Sequence, residues 1–184
     1  FFIAKLERIN YINAFQVKSR SMGDLIKAIS LVCDKYGARG FRVCNIHADN
    51  EFGKEIYERE FPEIVFEIYA RNKHMGFVEN GVRMVKEQVR SICHATPYRQ
   101  LTMLMTKCLL EGAVGLINMF PSKNGISSTM SPAMIVEGVL RLDMNKKMLE
   151  LVWKLSCTNK NISPIKKKKV FMSIDADRER HLSV

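Results

Sequence analysis

The stretch 73–90, KHMGFVENGVRMVKEQVR, restricts the chain most, because its periodicity suits one conformation. Val78, Val82, Val85, Val89 and Ile92 follow one another at steps of 4, 3, 4 and 3. That is the apolar stripe of an α-helix turned toward a core. Beside it Glu79, Arg83, Lys86 and Arg90 follow at steps of 4, 3 and 4, so all four share a second face. An acid followed by a row of bases suits a metal-bound phosphate at one end and a phosphate backbone along the rest. A second stretch, IHADNEF at 46–52, puts Asp49 just past a short apolar run, where a strand would end. One acid at a strand end and one on a helix is what two-metal phosphoryl-transfer sites need.

The remaining pattern supplies a core for that helix. Residues 1–6 (FFIAKL) and 11–17 (YINAFQV) read as two strands of a hairpin. Ser21 is a good N-cap for a helix over 22–36, which Gly37 and Gly40 end. Strands follow at 41–47 and 64–70, separated by a short helix or turn within 50–60 that Pro62 stops. The helix over 76–94 comes next, and Pro97 breaks it. A second long helix spans 98–119, with Leu101, Leu104, Met105, Cys108, Leu109, Val114 and Ile117 inward. After a loop at 121–131, Ser131 caps a short helix with Pro132 at its first position. Beyond Asp143 the pattern weakens to a helix at 146–155 and a tail at 159–170. The expected fold is α/β, a layered domain with a mixed central sheet followed by helices. It divides into a core-like domain at 1–140 and a C-terminal extension with a basic tail at 141–184.

Charge points to a polyanionic partner. The net charge is +10, yet residues 1–80 hold 12 Lys/Arg against 11 Asp/Glu, leaving +9 of the excess in 81–184. Nucleic acid is the natural counterpart, and ordinary surface solubilisation is the competing account. The run Lys166, Lys167, Lys168 and Lys169 reads either as a nuclear-localisation signal or as a nonspecific nucleic-acid tail. No uncharged apolar run reaches the roughly 18 residues of a membrane span, and no signal peptide opens the chain. Five scattered cysteines without a CxxC pair argue against a zinc module and for a reducing compartment. The expected location is therefore nuclear or cytoplasmic, with no membrane partner and no secretion.

IHADNEF, HMGFVENGVRMVKEQVR and INMFPSKNGISSTMSPAMIVEG, in that order, resemble the integrase core of copia-type long-terminal-repeat retroelements. The similarity in order and spacing covers residues 1 to about 138, some three quarters of the chain. It implies a ribonuclease-H-like fold and DNA integration by metal-dependent strand transfer. Asp49 matches the second acid of the Asp–Asp–Glu triad and Glu79 the third, together holding Mg²⁺ or Mn²⁺. The first Asp belongs on a strand preceding Phe1, and neither Glu7 nor Asp24 stands where the motif would put it. The expectation is an N-terminally truncated core that binds metal weakly and has no turnover alone. Asn80 replaces a common Arg, and Asn50 a common Gly.

The resemblance also implies element-end and target DNA as partners, and a homo-oligomer. Lys73, Arg83, Lys86 and Arg90 are the DNA-binding candidates, while His74 and Glu51 are candidates for supporting the site. His47 is expected near the acids. Two alternatives stand beside this reading: a noncatalytic nucleic-acid-binding relic and a ribonuclease-H-type nuclease.

Overall fold

The computed structural model describes residues 1–49, 54–69, 76–96, 101–138 and 170–178. Their order is β1 (Phe2–Leu6), β2 (Ile12–Phe15), α1 (Met22–Gly37), β3 (Phe41–Asp49), α2 (Lys54–Glu60), β4 (Val65–Tyr69), α3 (Gly76–Ala95), α4 (Met103–Asn118), α5 (Pro132–Glu137) and β5 (Val170–Arg178). The chain is a mixed α/β protein.

Local chemistry explains most of these boundaries. The β1–β2 hairpin closes through Leu6 N–H to the Tyr11 carbonyl at 2.8 Å, with Asn10 in the left-handed region at φ 62°. Asparagine tolerates that conformation better than most residues. Ser21 caps α1 by accepting from Asp24 N–H at 3.3 Å, and Gly40 at φ 74° turns the chain into β3. Ser131 caps α5 by accepting from Met134 N–H, Pro132 occupies its first turn, and Gly138 closes it with φ 67°. The expected 98–119 helix starts later, at Met103. Thr102, in extended conformation, accepts from Met105 N–H and so sits outside the helix as its cap. Leu104, expected inward, is exposed. The expected helix at 146–155 lies outside the described residues.

The five strands form one sheet in the order β2-β1-β5-β3-β4. The hairpin pairs β1 with β2 antiparallel, and β3 pairs with β4 parallel. β5 joins the two pairs, parallel to β1 and antiparallel to β3. The reading of 159–170 as a tail thus stops where β5 begins, and a segment from the expected C-terminal extension becomes the central strand.

Helices cover both faces. Phe2, Ala4, Leu6, Ile46, Ala48 and Phe66 face α1, whose Leu25, Ala28, Ile29, Val32 and Tyr36 complete the larger core. On the opposite face Ile3 and Ile12 meet Val78, Val82 and Val85 of α3 and Val114 of α4. β1 is buried throughout, as a strand sandwiched between helical layers must be. The outer edge of β2 is closed by a side chain. Asn118 Oδ1 accepts from Ile12 N–H at 2.9 Å, and Asn118 Nδ2 donates to the Ile12 carbonyl at 2.7 Å. The amide takes the place a further strand would fill.

Candidate functional site

A register shift in β3 decides which residues reach the α3 side of the sheet. Phe41 and Val43 are buried in the α1 core, and simple alternation would send residues 45, 47 and 49 there too. Between Val43 and Asn45 the pairing with β5 slips by one residue. After this bulge Ile46 and Ala48 take the α1 side. Asn45 and His47 are re-aimed to the opposite face, the usual consequence of a bulge.

Asp49 is the last residue of β3, as the sequence pattern required, and Glu79 lies in the first turn of α3. Lys5 pairs in register with Ser173, and Ser173 with His47, so Lys5 and His47 stand level on this face. The first turns of α3 lie over Lys5: its Nζ sits 3.7 Å from the Phe77 ring centroid. The turn bearing Glu79 therefore rides at the level of His47, two residues short of Asp49. It is displaced across the sheet by two strand spacings, about 10 Å. Burial lowers the pKa of the Lys5 ammonium, and the charge of Glu7 partly opposes that shift.

Arg83, Lys86 and Arg90 are exposed along α3, opposite its buried valines. Arg83 donates to Asn80 Oδ1 at 2.9 Å, and its Nε lies 4.0 Å from Glu87 Oε1. Among the described residues Lys86 and Arg90 have no ion-pair partner. Lys73, His74, Glu51 and the run Lys166, Lys167, Lys168 and Lys169 lie outside the described residues.

Two arrangements are new. β3 and β4 are parallel, with His47 opposite Glu67 and Asp49 opposite Tyr69. His47 Nδ1 lies 3.1 Å from Glu67 Oε2 and 3.3 Å from the Tyr69 hydroxyl, which in turn lies 3.3 Å from Glu67 Oε2. On the far side of the imidazole, Nε2 is 3.9 Å from Glu7 Oε2. Burial, then the charge of Glu67, raises the Tyr69 phenol pKa. The signal for this group was the alternation of 64–70, which puts Glu67 and Tyr69 on one face; only the parallel register with β3 brings His47 to them. The second arrangement is a cavity of about 210 Å³ beside β2, lined by Tyr11, Asn13, Lys35, Glu111, Asn118 and Glu137 among others. There Lys35 Nζ donates to the Tyr11 hydroxyl at 2.7 Å, and that hydroxyl donates to Glu137 at 2.6 Å. Burial, reinforced by the Glu137 hydrogen bond, raises the Tyr11 pKa well beyond the ordinary phenol range.

Among the described residues no three His, Cys, Asp or Glu side chains form a metal-holding group. Among them, too, no helix is long and apolar enough to cross a membrane. Fold and site together define a mixed α/β protein with a basic helix laid across one sheet face and a polar group shared by two parallel strands. Compared with protein-family models and with curated proteins, the chain matches none.

Proposed function

We propose that this chain is a ribonuclease-H-like integrase core fragment of a copia-type retroelement, and that its own activity is DNA binding through α3. The carrying observation is the exposed row Arg83, Lys86 and Arg90 on a helix whose other side is pinned to the sheet by Val78, Val82 and Val85. A rigid row of cations spaced along a helix contacts successive phosphates without reading bases. The order hairpin, helix, strand, helix, strand, helix, with β3 and β4 parallel and α1 and α3 on opposite faces, supports the fold assignment.

Asp49 and Glu79 are the residues that would hold Mg²⁺ or Mn²⁺. Their hard carboxylate oxygens fit such an ion, which keeps several waters and needs few protein ligands. When bound, the ion supplies charge stabilisation for in-line displacement at phosphorus. The chain's own part is to offer the two acids from a strand end and the first turn of a helix, with α3 aligning the DNA backbone. Turnover is not expected. The reading assigns two of the three triad acids to this chain, and a site short of one ligand is crippled for in-line displacement.

Fluorescence anisotropy with duplex DNA across a salt series tests the binding. Three phosphate contacts give a log–log salt slope of about −2.7, with little sequence preference. Replacing Arg83, Lys86 and Arg90 with alanine together should flatten the slope by about 2.7; unchanged affinity would sink the reading. In a strand-transfer assay with Mn²⁺ the chain should give no product, and product that depends on Glu79 would overturn that. The second reading is a ribonuclease-H-type nuclease. Glu7 and Glu67 around His47, two residues from Asp49, favour it, and Mn²⁺-dependent nicking of an RNA–DNA hybrid would select it.

A further inference from the structure

We propose that His47, Glu67 and Tyr69 form a binding site for a four-coordinate divalent ion of the zinc type, separate from the carboxylate pair assigned to Mg²⁺. The three donor atoms, His47 Nδ1, Glu67 Oε2 and the Tyr69 hydroxyl oxygen, form a nearly equilateral triangle with edges of 3.1, 3.3 and 3.3 Å. Hydrogen bonding accounts for the His47–Glu67 edge at 3.1 Å and fits the two Tyr69 edges less well. Oxygen–oxygen hydrogen bonds run about 2.5–3.0 Å, so the Tyr69–Glu67 separation of 3.3 Å is long for one.

The same edges suit metal ligation. Zn–N and Zn–O distances near 2.0–2.1 Å in a tetrahedron place neighbouring ligand atoms about 3.3 Å apart. An ion seated above the triangle meets three protein ligands and leaves its fourth position open to water, the pattern of catalytic rather than structural zinc sites. Two of the donors are hard oxygens, and the borderline imidazole nitrogen among them favours Zn²⁺ or Co²⁺ over Mg²⁺. Ligation uses imidazole, carboxylate and phenolate, so binding releases the phenol proton to solvent.

Two structural features support the assignment. The donors lie on adjacent parallel strands, with His47 directly opposite Glu67 and Tyr69 one step further along the same face at the end of β4. The imidazole nitrogen turned away from the triangle faces Glu7 at 3.9 Å. A carboxylate on that nitrogen is the usual means of orienting a ligating histidine. The His47 ring is held in place by the Tyr69 ring, with centroids 5.7 Å apart.

The test uses the full chain and the ion alone. Co²⁺ titration should give one equivalent of binding with the intense visible bands of four-coordinate cobalt, displaced by Zn²⁺ and not by excess Mg²⁺. Tyr69→Phe keeps the ring packing and removes one ligand, and Glu67→Gln alters a half-exposed side chain, so both should fold by circular dichroism. Each should weaken Zn²⁺ binding by at least about tenfold. Glu79→Gln should leave it unchanged, which separates this site from the proposed Mg²⁺ pair, and DNA binding should persist in Tyr69→Phe and Glu67→Gln. Absence of stoichiometric binding overturns the site. So does full affinity in Tyr69→Phe, or sulfur-to-cobalt charge-transfer bands, which would assign the ion to the free thiols.

Discussion

At Gly81 an added methyl would lie 2.9 Å from Lys5 Cδ, so the close passage of α3 over β1 requires glycine there. Lys5 cannot retreat easily, because it is buried and its ammonium rests on the Phe77 ring. Gly81→Ala gains up to about 1 kcal/mol of helix propensity and loses about 1–3 kcal/mol to overpacking. The expected net is a destabilisation of about 1 kcal/mol in urea unfolding. In a Lys5→Ala background the obstruction is gone, and the same substitution should stabilise by about 0.5–1 kcal/mol. A double-mutant cycle in which the sign does not reverse would show that the Lys5 stem is not what glycine accommodates. None of this could be read from FFIAKL, where the single lysine of an apolar strand looks solvated. The Val78, Val82 and Val85 stripe, by contrast, was plain, since its spacing depends only on helix geometry.

Elements announced by their own caps were legible: α1 by Ser21, α5 by Ser131, Pro132 and Gly138, and α3 by its two stripes. Features that depend on a distant partner were not. The bulge in β3 exists only against β5, yet it decides that His47, and not its neighbours, meets Glu67. The sequence therefore located Asp49 and Glu79 on their elements but left the His47, Glu67 and Tyr69 group unassembled. Asn118 is a similar case, reading as a late helical residue while serving as the clasp on the β2 edge. Asn118→Leu should strand a buried donor and a buried acceptor of Ile12, each costing about 1–3 kcal/mol. A loss of about 3 kcal/mol in urea unfolding is expected, while Asn118→Asp, which keeps only the acceptor, should remain destabilised. Native stability in Asn118→Leu would mean that β2 needs no cover. It would also put β2 among the open edges that other sheets must block by charge or bulge.

For the molecule as a whole, β5 is the decisive piece and the least legible. VFMSIDADR carries two acids, follows a lysine run, and makes no local pairing: its partners are β1, some 170 residues upstream, and β3. Pairing at that separation is set by the assembled sheet and not by neighbouring sequence, and it makes folding slow. The placement has a sharp consequence. A chain ending at residue 169 would leave β1 and β3 each without its inner neighbour, splitting a five-stranded sheet into a hairpin and a two-stranded parallel pair. Two-stranded units are marginal in water, and their open edges invite aggregation. The deletion of 170–184 removes three acids and two arginines, moving net charge only from +10 to +11, so electrostatics would not account for its effect. Loss of a cooperative thermal transition and self-association in sedimentation are expected. If the shortened chain instead melts cooperatively near the temperature of the full chain, β1 and β3 pair with something else, and β5 is an ordinary tail.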